Sequence, residues 1–330
     1  MKKAILAILT ALPLFAFQSS FAQQAAPAAT ETVKVQAGAM PDAVVTGFVK
    51  TFTAPSQLSG KIPRWYTGIC LKTQGLPPEL AEAVSKRILA VAAEVGARTQ
   101  PQPCDLNAVV IFDPDPQSVM DNIAAHHEEL LGTHDPAQTK ELAKVRYPIQ
   151  AWYATETQDD KGVSTIDTKD QSAQCDGLDM TTQVGAAGDL KNGGMRTDPA
   201  RLARVTEDAQ RYCGHRYDTG SRVRDGVHSH IVAVTVVAAM DAVNYHELGA
   251  VADYLALMIL SQTKAFDTCE KMETVANLLV PACDLNNRVN GLMPGDLAFL
   301  KALYRADTGG TLVAQQAAIA GEMKKVLAER

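Results

Sequence analysis

Apolar positions along this chain recur with two periods, and segments of each period alternate. At 62–71 (IPRWYTGICL) the aromatic and β-branched residues predict a strand. Pro77 and Pro78 then open a helix that runs to about Val95. Its apolar residues Leu80, Val84, Ile88, Val91 and Val95 are spaced by four, four, three and four, and Gly96 is a natural stop. Residues 107–112 (NAVVIF) read as a short buried strand, and 117–131 as a helix ending before Gly132. Residues 149–157 alternate like a strand, and 227–237 (VHSHIVAVTVV) form another. A helix follows at about 245–262, its stripe Leu248, Val251, Ala252, Leu255, Met258 and Ile259 close to a 3.6-residue period. Shorter helical pieces fit 272–279 and 294–304, and 315–327 reads as one more helix. This order predicts an α+β fold: a single main domain, a mixed sheet with packed helices.

Two stretches break the pattern. From 158 to 226 the chain is polar and irregular, with Gly185, Gly188, Gly193 and Gly194, and with a short helix expected at 199–212. It reads as an insertion into the domain. Residues 23–43, rich in Ala, Gln, Thr and Pro, read as a flexible leader. The first 22 residues have the form of a signal peptide. Lys2 and Lys3 precede an apolar run at 4–17, and Ser20-Phe21-Ala22 places cleavage before Gln23. The domain is therefore expected at 44–330. The apolar run is too short to remain as a spanning helix, and no later segment is long enough, so no membrane span is expected after cleavage. The location this implies is periplasmic or secreted.

Charge narrows the function classes. The 330 residues carry 31 Lys and Arg against 37 Asp and Glu, a formal charge of −6. Cleavage removes two lysines and no acids, giving 29 − 37 = −8. Generic nucleic-acid binding needs a basic footprint, which this balance lacks.

All six cysteines, Cys70, Cys104, Cys175, Cys213, Cys269 and Cys283, lie after the signal. In an oxidising compartment an even number favours disulfides. Six cysteines permit about 15 pairings. Sequential pairing gives the most local loops, and Cys269–Cys283 brackets the shortest one. No CxxC spacing supports a cysteine metal site.

The search for chemistry is mostly negative, with no nucleophile elbow, P-loop or dinucleotide fingerprint. The run Asp113-Pro114-Asp115-Pro116-Gln117 begins like a calcium loop, but Ser118 and Ala124 stand where glycine and glutamate belong, so it reads as a strand-to-helix corner. His126, His127 and His134, with Glu128, Glu129 and Asp135, read as a solvated helix end. His228 and His230 share one face of a strand, either as a two-histidine metal pair or as part of a polar sheet face.

The segment Asn244-Tyr245-His246-Glu247-Leu248-Gly249-Ala250 resembles the zinc helix of zincin metallopeptidases, with Ala250 in place of the second histidine of H-E-x-x-H. Downstream, residues 292–304 (LMPGDLAFLKALY) resemble the tail that follows that helix in matrixin-like domains. Through IPRWYTGIC, IQAWYATET and ELGAVADYLALM the chain also resembles a family of exported proteobacterial proteins with a domain of unknown function. The first resemblance implies a zincin-like scaffold lacking the zinc site. In it His246 and Glu247 are the remnants of ligand and general base, and zinc is the one cofactor to consider. Helical geometry sets His246, Ala250, Asp253 and Leu257 opposite the apolar stripe, looking away from the core. The competing reading makes Asn244 and Glu247 a capping box. The functional expectation is a non-enzymatic module that binds a peptide or an envelope protein along an exposed strand. The alternative is a metal-dependent hydrolase.

Overall fold

A computed structural model describes residues 40–56, 59–131, 136–159, 164–165, 226–244, 246–264, 268–283 and 289–329. They belong to one compact unit, Thr32–Arg330. The signal segment, nearly all of the leader and most of the insertion, including the helix expected at 199–212, lie outside the described residues.

The sheet is mixed. Strand β2 (Leu71–Gln74) is joined to β3 (Ala108–Asp113) by helix α2 (Pro78–Val95), and the two strands are parallel. Strand β6 (Val227–Ala239) lies parallel to β3 on its other side. Strand β4 (Ile149–Asp159) runs antiparallel to β6, and β5 (Ser164–Thr165) pairs with the end of β4. The order is β2-β3-β6-β4-β5, and the short β1 (Arg64–Trp65) pairs in parallel with the first half of β6.

The stretch read as one strand at 62–71 is thus two, β1 and β2, on different neighbours. Residues 66–70 cross between them. Ile69 exchanges backbone hydrogen bonds with Arg98 and Gln100, and the Cys70 amide donates to the Asn107 side chain. A Cβ on Gly68 would meet the Gln100 side chain at 2.5 Å, so glycine is needed for this crossing. The Cys70–Cys104 disulfide closes it, and Cys269–Cys283 is bonded as well. Cys175 and Cys213 lie outside the described residues. The two disulfides fit an oxidising, non-cytoplasmic compartment. Among the described residues no helix is long and apolar enough to cross a membrane.

One face of the sheet carries most of the helices. These are α1 (Asp42–Phe52), α2, α6 (Leu248–Leu260), α7 (Pro294–Arg305) and α8 (Leu312–Ala328). Helix α2 packs on α6 and α7, and α8 packs on α1 and α7. Phe48, Phe52 and Phe299 form an aromatic knot, with ring centroids 4.6 to 5.8 Å apart. Four of the five residues that define the α2 stripe are buried. Leu80, in the first turn, is 44% exposed because the helix there has run past the core. Gly96 ends α2 in the left-handed conformation, φ +87°.

Helix α6 is central. Every residue from Ala250 to Leu260 is buried, so it has no polar face. This corrects the expected outward face: Ala250, Asp253 and Leu257 are inside. The period was right, but neighbours cover both sides of the helix. The single charge, Asp253, accepts hydrogen bonds from Arg87 Nε and Nη2 and from the Leu292 amide.

The other face is only partly covered. Helix α3 (Pro116–His126), the 3₁₀ turn Glu128–Leu131 and α4 (Pro136–Leu142) lie over a small cluster of Met120, Ile123, Leu131, Ala143, Trp152 and Val237. The helix expected to reach 131 breaks at His127.

Strand β6 contains one irregularity that matters. Ala154 pairs with Ala233, but Thr155 pairs with Ile231, so Val232 is an extra residue. Such a bulge inverts the alternation of faces. Val234, Val236, Ala238 and, across the bulge, Ile231 all point to the large core, while Val237 points to the small one. His228 and His230, out of phase with Ile231, therefore face away from α6.

Candidate functional site

The residues of the H-E segment sit in a corner, not on a helix. The short helix α5 (Met240–Val243) ends with Asn244 as its C-cap, and the His246 amide donates to the Val243 carbonyl. Helix α6 then starts at Leu248, with Glu247 as its N-cap and no side-chain cap bond. The capping box is therefore not formed: Asn244 belongs to the preceding turn, and Glu247 occupies the cap position and not the third helical one. The same offset removes the zinc geometry, which needs both residues on the helix. A histidine placed at 250 would enter the core, where Ala250 is 1% exposed.

His246 does not meet the strand histidines. Trp65 Nε1 donates to the Ile259 carbonyl, and Trp65 pairs with Ile231, so the end of α6 lies beside the start of β6. His246 precedes the other end of α6, about 18 Å along the axis. Among the described residues no three His, Cys, Asp or Glu side chains are grouped to hold a metal ion. Zinc of the zincin kind does not fit this corner.

His228 and His230 lie together at the start of β6, and both are buried. Tyr66, which follows β1, stacks on the His230 ring with centroids 3.9 Å apart and planes 14° apart; its ring lies 6.4 Å from His228. His228 Nδ1 and the Thr308 hydroxyl are 3.1 Å apart. Arg64 lies over the Tyr66 ring, donates to its hydroxyl and to the carbonyls of Leu303 and Ala306. His230 Nε2 is buried without a hydrogen-bond partner among the described residues. Burial, aided by His228 and Arg64, pushes the His230 pKa down to about 4, so the ring is neutral at pH 7. The two histidines thus stand on a polar patch roofed by Tyr66 and Arg64.

Sequence reading missed two further features. The first is a groove of about 620 Å³ on the sparsely covered face. Its floor is Lys72, Gln74, Val109, Ile111 and Thr235 from three parallel strands, and its wall is Val119 and Asn122 of α3. Leu106 and Leu130, 51% and 37% exposed, stand on its rim. The Asp113–Asp115 corner closes one end. There Asp113 Oδ1 accepts from the Asp115 amide, and Asp115 caps α3 through the Ser118 amide, so both carboxylates serve the turn. Beside the groove runs β2, an edge strand. Among the described residues its outer backbone edge makes no hydrogen bond. His126 and His127 are exposed, the latter lining the groove; His134 and Asp135 lie outside the described residues.

The second is a buried carboxylate, Asp296, in the first turn of α7. It accepts from the Thr274 hydroxyl and from the amides of Val275 and Met293. Burial pushes its pKa up to about 6, and Asp253 nearby pushes in the same direction. Every oxygen has donors, so its work is to hold the 3₁₀ turn Val275–Leu279 against α7. Comparison with known proteins finds no counterpart: no family model, no curated protein and no solved structure matches the chain.

Proposed function

We propose that this is an exported protein, periplasmic or secreted, that acts by binding and not by catalysis. Its ligand is an extended peptide segment of an envelope protein, laid along β2 and into the adjoining groove. The observation that carries this reading is the unpaired backbone edge of β2 beside a groove whose floor mixes apolar and polar side chains. A strand added to an edge gains main-chain hydrogen bonds, and alternate side chains enter the groove for selectivity. The edge is only four residues long and carries Lys72 in its middle, which discourages indiscriminate pairing. A zincin-like ancestry is part of the proposal, supported by the order of β6, α6 and α7 and by the resemblance of residues 292–304 on and before α7. On that reading His246 and Glu247 are remnants without a ligand set, which argues against the hydrolase.

The test is a display screen of random peptides against the mature protein, followed by binding measurements on the selected sequences. Peptides with alternating apolar residues should be selected, and Leu106→Ser or Ile111→Lys should abolish their binding. Selection of peptides whose binding is unchanged in both variants would reject this surface.

A further inference from the structure

We propose that a cavity at the margin of the large core, between β4 and the second half of α6, binds a small neutral aromatic molecule that carries one hydrogen-bond acceptor. The proposal is independent of the peptide-binding reading, whose groove lies on the other face of the sheet. The cavity has a volume of about 210 Å³. An apolar cavity of about 150 Å³ is enough for benzene, so this one takes a single ring with a short substituent. Ile149, Met258 and Leu279 give it apolar walls, and Tyr147 and Tyr153 stand among them. Such a lining favours an aromatic body, because ring pairs gain attraction beyond the area they bury. The walls are held in place. Tyr153 Oη donates to the Met258 carbonyl at 2.7 Å, and the Ser261 carbonyl lies 3.2 Å away, which ties β4 to the end of α6. Tyr254 supplies the polar handle. It lies one turn before Met258 on α6, lines the cavity and is only 6% exposed. Its hydroxyl makes no hydrogen bond among the described residues. Burial pushes its pKa up, and no hydrogen bond or charge opposes that shift. A buried hydroxyl without a partner is costly, and a ligand that brings an acceptor removes the cost. Charge argues for a neutral ligand. Among the described residues the cavity wall has no acid, so a cation finds no partner there. Its one positive group, Lys264, is exposed, donates to the Lys50 carbonyl and interacts with the Glu270 carboxylate. An anion would lose its water without gaining a free counter-charge.

The experiment uses the full mature protein with acetophenone as the probe. Ethylbenzene, of the same shape but without the carbonyl, and benzoate, which is charged, are the controls. Acetophenone should saturate with a Kd below about 1 mM. In the wild type its ring protons should show Overhauser contacts to the isotope-labelled Met258 methyl group, a readout that needs no variant to fold. Tyr254→Phe removes only the hydroxyl. It should weaken acetophenone about fivefold and leave ethylbenzene unchanged. Benzoate should bind at least about tenfold more weakly than acetophenone. Absence of saturable binding, contacts that bypass Met258, equal effects of Tyr254→Phe on the two neutral probes, or benzoate bound as tightly as acetophenone overturns the site.

Discussion

The two faces of the sheet solve opposite problems. The face under α1, α2, α6, α7 and α8 holds nearly the whole core, and its buried charges are paired: Asp253 with Arg87, Asp296 with three donors. The other face buries six residues in its small cluster, and it holds the groove. The contrast teaches that the densely packed core and the open groove are separated here by a single sheet.

The largest effect should come from the first face. Leu255, fully buried on α6, should cost up to about 5 kcal/mol when changed to Ala, whereas Met120→Ala over the small cluster should cost near 2 kcal/mol, because that site can collapse. Equal costs in chemical denaturation would break the comparison.

Next comes Asp296. Its folded pKa of about 6 lies above its ordinary 3.8, so folding favours the protonated acid. Its contribution to stability is full below the ordinary value and is lost as the pH rises through 6. Urea unfolding of the wild type and Asp296→Asn between about pH 4 and pH 7 should show the wild type losing about 2 kcal/mol relative to the variant. A constant difference would mean that the acid is ionised throughout.

The smallest effects sharpen the contrast. Leu106→Ser on the groove rim should change stability by less than about 0.5 kcal/mol while removing peptide binding. Glu247→Ala should also stay within about 0.5 kcal/mol, since Glu247 makes no cap bond. A loss of 1–2 kcal/mol there would restore the capping box.

Much of the first face was legible in the sequence. The stripe of α2 and the strands read at 107–112, 149–157 and 227–237 are found with ends shifted by no more than two residues, and Cys70–Cys104 and Cys269–Cys283 pair as the most local loops suggest. What was not legible depends on neighbours. That α6 is buried all round reflects the helices packed on both its sides, which its own stripe cannot report. Asn244 matched a cap pattern, yet α5 claimed it first. The bulge at Val232 leaves no mark in VHSHIVAVTVV, so the sequence could not show that Ile231 and Val234 share a face. The groove is assembled from segments near 72, 109, 119 and 235, and no local pattern announces it.

The β4–β6 ladder has a consequence for how the chain reaches this state. Its partners are far apart in sequence: Ile149 meets Ala238, and even the nearest pair, Asp159 and Val227, is separated by 68 positions. Closing so long a loop costs only logarithmically more than closing a short one, so the insertion is cheap at equilibrium. Its effect is on time. The unit β2-α2-β3 can form from local contacts, whereas β4 must wait for residues made much later and then find its register across the loop. Until it does, the thirteen residues of β6, nine of them apolar, present an open edge. The newly made chain should therefore be most prone to self-association in that interval, and most dependent on chaperones for a strand that is paired on both edges once folding is complete.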